Sequence, residues 1–445
     1  MIEFAQKQVA VAGFGVEGQA TAKFLQTRGA IVTVLDENTQ LDQAGPYTFK
    51  VGKQAFSDLE SYDFVFRTAG LHPRKLSVDQ SKILTAYSLL LQDYRQQVIG
   101  VTGTKGKGTT STLIGHILKA AGKDVYVAGN IGHSPLDFYD QLTADSLIVM
   151  ELSSFQLIDA QQSPHAAVML MIEPDHMDWH SNMDEYIDSK LNLVRFQSDL
   201  DIAVYNPENP NTKDISQEFE WALPYLRGTQ GHVRNGYICF AENKITPVSE
   251  VGLIGPHNLE NICAATTVCW YILKEQGLDE KQIITALNAA IRSFSGLPHR
   301  NEDLGEVNGV RYINDTFSAN PIALQAALSS FEQPKIPIVG GFDKKVGQEN
   351  IIKALIKYTD SIRHVVLIGQ TAEAIAELLQ HAGFSNYSIL PLNTNMKTIV
   401  AMANSHAEPG DVVLLSPGHA SFDMFKNYKD RGEQFKQAVA ELSNE

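Results

Sequence analysis

Strands alternating with helices along the whole chain predict an α/β fold of parallel sheets. Two glycine-rich turns, each set between an apolar run and a helical pattern, place anion-binding loops on two of those sheets. A length of 445 residues predicts about three domains, each able to bury a core. The expected boundaries are 1–93, 94–298 and 299–445.

The first domain opens with an apolar strand at residues 9–13, a helix over about 18–28 and a strand at 31–36. A further short strand at 63–66 leads to Gly70. Between the first strand and helix lies Gly13-Phe14-Gly15-Val16-Glu17-Gly18, and Asp36 ends the next strand. This is a dinucleotide fingerprint: a tight turn, close approach to a diphosphate, and a carboxylate for ribose hydroxyls. NAD meets the requirement, a nucleotide-diphosphate sugar meets it equally well, and a purely structural turn has the same look.

The central domain starts with the apolar strand from Val98, followed by Gly103-Thr104-Lys105-Gly106-Lys107-Gly108-Thr109-Thr110 and a helix over 111–121. Glycines let backbone N–H groups converge on phosphate, the helix N-terminus adds partial charge, and Lys107 adds a full one. Two positions depart from the usual P-loop spacing. Val101 stands where glycine or alanine is expected, and Gly108 where a hydroxyl would ligate magnesium.

Further strands are expected at 146–150 and 166–171, with helices near 183–196 and 258–276. Residues 206–211 read as a surface loop. Glu151 follows the strand 146–150, which is the position of a Mg²⁺ ligand or of a plain strand-end acid. Asp175-His176-Met177-Asp178 follows the next strand. His176 could complete a second metal shell or be a structural histidine. Tyr186, Lys190 and Val194 share one helical face, and spacing alone leaves Lys190 a solvated lysine.

The third domain carries strands at 336–339, 364–368 and 411–415 separated by helices. The fold class is therefore α/β in three domains: a Rossmann-like N-terminal domain, a central P-loop ATPase-like domain with a mostly parallel sheet, and a C-terminal Rossmann-like domain.

Composition narrows the partners. Lys and Arg number 36 against 51 Asp and Glu, a net charge of −15, which argues against nucleic-acid and anionic-membrane binding. No segment reaches the ~18 consecutive apolar residues of a membrane span, and the first residues lack a signal-peptide pattern. Cys239, Cys263 and Cys269 have no metal spacing and read as buried apolar residues in a reducing compartment. A cytoplasmic location is expected.

In their order and spacing the motifs resemble the Mur ligase family, the ATP-dependent amino-acid ligases of peptidoglycan precursor synthesis, and most closely its D-glutamate-adding type. The resemblance spans nearly the whole chain. It rests on Gly103–Thr110, Gly129-Asn130-Ile131-Gly132, the Glu151–Leu157 segment, Asp175–Asp178, His257–Asn261, Leu297-Pro298-His299-Arg300, Asn314-Asp315, Gly340–Lys344 and the 415–432 segment.

The resemblance implies a role for each matching residue. Lys107 and the amides of Gly103–Thr110 would hold the ATP phosphates, and Glu151 a bridging Mg²⁺. Asn258 and Asn261 would contact the adenine, Arg300 the γ-phosphate and Asp315 the ATP ribose. His176 and Lys190 would flank a second Mg²⁺, with Lys190 converted by CO₂ to a carbamate that can ligate a cation where an ammonium cannot. Asn130, Ser153 and Gln156 would meet the muramoyl-peptide moiety. Gly13, Phe14, Gly15, Val16, Asp36 and Gly70 would hold uridine diphosphate. Lys344, Ser421 and the backbone at Tyr428 would bind the incoming amino acid.

The implied reaction joins D-glutamate to UDP-N-acetylmuramoyl-L-alanine through an acyl phosphate. The enzyme is expected to be a monomer, with ATP between its second and third domains. Three departures qualify the match. Gly108 leaves Thr109 or water to ligate magnesium, Lys105 replaces an asparagine, and Phe317 and Ala319 replace a lysine and a threonine in 314–320. The last pair weakens the identity of the amino acid, so a relative adding L-glutamate is an alternative. An NAD(P)-dependent oxidoreductase would use the first loop and leave Gly103–Thr110 idle. A non-catalytic nucleotide sensor would fit Gly108 but not Glu151, His176, Lys190 and Arg300 together.

Overall fold

A computed structural model describes residues 2–43, 45–130, 133–253, 255–343 and 347–442. The chain forms two compact units, residues 1–252 with 256–294, and residues 253–255 with 295–445.

In the first unit, β1 (Gln8–Ala12), β2 (Ile31–Asp36), β3 (Thr48–Val51), β4 (Phe64–Arg67) and β5 (Ile83–Leu84) make a parallel sheet in the order β3-β2-β1-β4-β5. A second parallel sheet joins β6 (Val98–Thr102), β7 (Val125–Gly129), β8 (Leu147–Glu151), β9 (Ala166–Met169), β10 (Ile202–Tyr205) and β11 (Leu223–Pro224) in the order β11-β10-β9-β6-β8-β7. Every residue of β6, β8, β9 and β10 is buried, which is why these strands read as unbroken apolar runs. Register places Val101 beside Glu151 and Thr102 beside Met169. The glycine loop after β6 thus leaves the sheet at the same edge as Glu151.

The two sheets share a core. Val9, Val11 and Phe66 of the first belong to one apolar cluster with Ile148, Met150 and Met169 of the second. A fully buried Arg67 adds a bidentate ion pair to Asp159, with N–O distances of 2.6 Å, and donates to the Phe155 carbonyl at 3.0 Å.

In the second unit, β15 (Glu302–Val307), β16 (Val310–Asn314), β17 (Lys335–Gly340), β18 (Val365–Ile368), β19 (Tyr387–Ile389) and β20 (Val412–Leu415) form a sheet in the order β15-β16-β20-β17-β18-β19. β15 pairs antiparallel and the other pairs are parallel. The first unit also holds an antiparallel sheet of β12 (Gly231–Arg234), β13 (Tyr237–Phe240) and β14 (Asn243–Pro247).

Several boundaries differ from expectation. The first helix is Val16–Thr27, two residues early, and accepts Gly18 in its first turn because a Cβ there would lie 2.0 Å from the Gly13 carbonyl oxygen. The helix after the phosphate loop is Lys107–Ala120 and starts at the lysine itself. The helix carrying Lys190 is Met183–Leu191, so Val194 lies beyond its end. Strand β9 stops at Met169 because the next residues turn to meet the glycine loop, Thr104 N donating to the Met171 carbonyl at 2.8 Å. The 206–211 segment is a loop but not a surface one. Asn206 and Asn209 are buried, and Asn209 Oδ1 accepts from Ile172 N at 3.2 Å. Asparagine is favoured in loops because it can satisfy neighbouring backbone from within. The three cysteines are buried and free, as expected. No helix among the described residues is long and apolar enough to cross a membrane.

Candidate active site

The Gly103–Thr110 loop has the backbone its sequence demands. Gly103 and Gly106 adopt φ of 152° and 83°, conformations that side chains rarely take. Space enforces the same choice. A Cβ on Gly103 would meet Leu170 Cβ at 2.7 Å, and one on Gly106 would meet Asn261 Oδ1 at 2.3 Å. Lys107 opens the helix and folds back, its Nζ donating to the carbonyls of Gly103 at 2.9 Å and Thr104 at 3.0 Å. Thr104 faces away from the loop mouth: its hydroxyl bridges Glu173 and the Tyr186 hydroxyl, each at 2.9 Å.

Lys190 is the outstanding side chain here. Sequence spacing left it a solvated lysine, whereas it is 1% exposed. Its Nζ donates to the Gly103 carbonyl at 2.9 Å, the acceptor Lys107 also uses, and lies 4.7 Å from the centre of the Tyr186 ring. Burial, and secondarily the charge of Lys107, push its pKa far below that of a solvated lysine; Asp175 and Glu151 act weakly against this. Tyr186, which carries the stack, was legible only as a same-face neighbour, and Asp175 only as part of its motif.

Glu151 is buried at the end of β8, and its Oε1 accepts from Asn130 Nδ2 at 2.9 Å. Ser153 and Gln156 are engaged with each other in a capping box on the short helix Ser154–Leu157, which fixes the turn after Glu151. His176 adopts φ of 54° on an exposed turn, and its ring packs 4.8 Å from Phe155. Asn258 and Asn261 lie one turn apart on the helix Pro256–Glu275, both buried, with Asn261 Nδ2 donating to Asn258 Oδ1 at 3.0 Å. Gly106 against Asn261 brings this pair to the phosphate loop.

A second site lies on the first sheet. Gly13, Phe14, Gly15, Val16, Asp36 and Gly70, all six residues named from sequence, line one cleft of about 410 Å³. Asp36 is partly engaged already, since its Oδ2 accepts from Phe14 N at 2.8 Å. Lys75, missed in the sequence, also lines the cleft and pairs with Glu37 at 2.6 Å.

In the second unit, Asp315 is buried and accepts from Ser416 Oγ at 2.9 Å, Asn301 N at 3.1 Å and the Ser318 hydroxyl. Burial raises its pKa to about 6 against these donors and Arg300. Ser421 is buried in a loop that Arg431 anchors, donating to the carbonyls of Thr316 at 2.9 Å and His419 at 3.1 Å. Lys344 lies outside the described residues, as do Ile131 and Gly132 of the Gly129–Gly132 motif.

Comparison with known proteins decides what this arrangement belongs to. Residues 101–269 match the Mur ligase middle domain, and residues 299–419 match the Mur ligase glutamate ligase domain. The chain is 33% identical to the UDP-N-acetylmuramoylalanine--D-glutamate ligase of Clostridium tetani and 34% identical to that of Desulfitobacterium hafniense. Each alignment covers 98% of this chain and 97% of the relative. This chain belongs to the Mur ligase family. Its fold is also similar to the crystal structure of UDP-N-acetylmuramate-alanine ligase from Thermotoga maritima, with a TM-score of 0.58 at 15% identity, over 98% of this chain and 100% of that one.

As a Mur ligase, the chain holds Lys107, Glu151, Lys190 and Asn261 within its middle-domain match, and Arg300 and Asp315 within the glutamate ligase match. The donor set suits a hard divalent cation, because Glu151 offers a buried carboxylate beside the phosphate loop. Among the described residues no three His, Cys, Asp or Glu side chains converge as a metal cage. Magnesium sites of phosphate-handling enzymes commonly use one or two carboxylates, completed by water and phosphate oxygens.

Proposed function

We propose that this Mur ligase joins D-glutamate to UDP-N-acetylmuramoyl-L-alanine at the expense of ATP, in the synthesis of peptidoglycan precursors. The observation that carries the mechanism is the convergence of two lysine amines, Lys107 and Lys190, on the Gly103 carbonyl at the sheet edge that bears Glu151.

ATP phosphates lie along the N–H groups of Gly103–Thr110, where helix-terminal charge and Lys107 offset theirs. Asn258 and Asn261 orient the adenine, and Asp315 the ribose. The substrate's terminal carboxylate oxygen attacks the γ-phosphorus and ADP leaves. Arg300 and Lys107 neutralise charge spread over the transferring phosphoryl group. The amine of D-glutamate then attacks the acyl carbon, loses a proton, and phosphate departs as the amide forms. Ser421, Lys344 and the backbone at Tyr428 hold the amino acid, while Asn130, Ser153 and Gln156 hold the muramoyl-peptide end. The cleft around Gly13–Gly18, Asp36 and Gly70 takes the uridine diphosphate.

Glu151 with Thr109, and His176 with Lys190, would hold magnesium, which when bound would supply charge neutralisation at the phosphates. Lys190 qualifies as such a ligand once its neutral amine has added CO₂ and released a proton to become a carbamate. The division into domains 1–93, 94–298 and 299–445, Rossmann-like, P-loop ATPase-like and Rossmann-like, belongs to the same reading.

Lys107→Ala and Glu151→Ala test it. Each is expected to lower ligase kcat by about 100-fold or more while leaving the unfolding midpoint near that of the parent. Turnover close to the parent's in either variant would contradict the assignment.

A further inference from the structure

Phe317 packs against Arg300, the residue assigned above to the γ-phosphate. Its ring lies beneath the guanidinium of Arg300, with Cζ 4.0 Å from the ring centroid. On its other side it meets Tyr428 edge-to-face, centroids 5.2 Å apart at 89°. Backbone fixes the pairing, since Phe317 N donates to the His299 carbonyl at 3.0 Å, tying the ring's residue to the neighbour of Arg300. Thr316, one residue before, accepts from Arg431 Nε at 2.8 Å, so the segment bearing the ring is anchored from below. Phe317 is 42% exposed, so its ring is held by these contacts rather than enclosed in a core.

We propose that Phe317 is a positioning residue: its ring, braced by Tyr428, holds the Arg300 guanidinium in the orientation that meets the γ-phosphate. A flat guanidinium stacked on an aromatic face has its plane set by the ring. This rests on the assignment of Arg300 to the γ-phosphate.

The test compares a non-hydrolysable ATP analogue with ADP by titration calorimetry in the full-length protein. Phe317→Leu is expected to weaken analogue binding about two- to fivefold, the range of an exposed cation–π contact, with ADP binding unchanged. Phe317→Tyr is expected to restore the analogue affinity. Equal losses for analogue and ADP, or no restoration by tyrosine, overturn the positioning role. Arg300→Ala is the control that separates the two layers. If it leaves the analogue-over-ADP preference intact, the γ-phosphate assignment fails and the proposal falls with it. If it abolishes the preference while Phe317→Leu leaves it untouched, the assignment stands and the stack alone is refuted. Phe317→Met supplies a second non-aromatic variant should the leucine variant fold poorly.

Discussion

Lys190 and Asp315 show how single residues acquire properties that spacing cannot reveal. Lys190 is buried beside Lys107, and burial first, then that neighbouring charge, lower its pKa well below that of a solvated lysine. Lys190→Ala is expected to abolish ligase activity, and short carboxylic acids added in solution to restore part of it by filling the vacated space. Activity unaffected by the substitution would contradict the carbamate. Asp315 gives a pH prediction with a definite sign. Its folded pKa is raised from 3.8 to about 6, so its contribution favours the folded state at low pH and is lost as pH rises through about 6. Relative to Asp315→Asn, the parent should gain about 1 kcal/mol of stability between pH 7 and pH 5. Denaturant titrations at the two pH values measure this, and an opposite or absent trend would place the carboxyl in a more solvated setting. Neither burial was legible in the sequence, because each depends on elements far away in the chain: Lys190 packs on the loop 87 residues before it, and Asp315 under a serine 101 residues later.

At the scale of elements, the phosphate loop was the most legible part of the molecule, and its glycines explain why. Gly106 combines φ of 83° with contact to Asn261, so both the backbone and the helix Pro256–Glu275 reject a side chain. Gly106→Ala should therefore weaken ATP binding by about tenfold or more and lower the melting temperature. Gly122, with φ of 77° and open space around it, is the control. Gly122→Ala should cost about 1 kcal/mol through backbone strain alone and leave ATP affinity unchanged; a similar loss of ATP affinity in both variants would refute the steric account. The mostly buried parallel strands β1, β2, β4, β6, β8, β9, β17, β18 and β20 were readable as apolar runs, whereas β3, β5, β7, β10, β11, β16 and β19 were missed. Of the three antiparallel pairings between named strands, all missed, two carry a local signal. Asn235-Gly236 and Asn308-Gly309 turn the β12–β13 and β15–β16 hairpins with positive φ at both positions. Short half-exposed strands give little period-2 contrast, so the Asn-Gly pair was the signal to use.

For the molecule as a whole, the sheet of β1–β5 and the sheet of β6–β11 lie within one compact unit. The cause is contact over long sequence distance. A continuous apolar cluster runs from Phe4 to Ala222, and Arg67 reaches Asp159 across 92 residues. Such a pair is invisible to periodicity, since neither residue has a local reason to be buried. It also links β4, beside the Gly13–Gly18 cleft, with the segment following Glu151, so both candidate sites rest on one framework. The central claim is that this framework serves D-glutamate addition. Phosphate release from ATP, measured with UDP-N-acetylmuramoyl-L-alanine and a panel of amino acids, tests it most directly. Release that requires both the nucleotide sugar and D-glutamate, with L-glutamate inert, is the predicted result. Release supported by L-glutamate or another amino acid in its place, or no dependence on the nucleotide sugar, would contradict it.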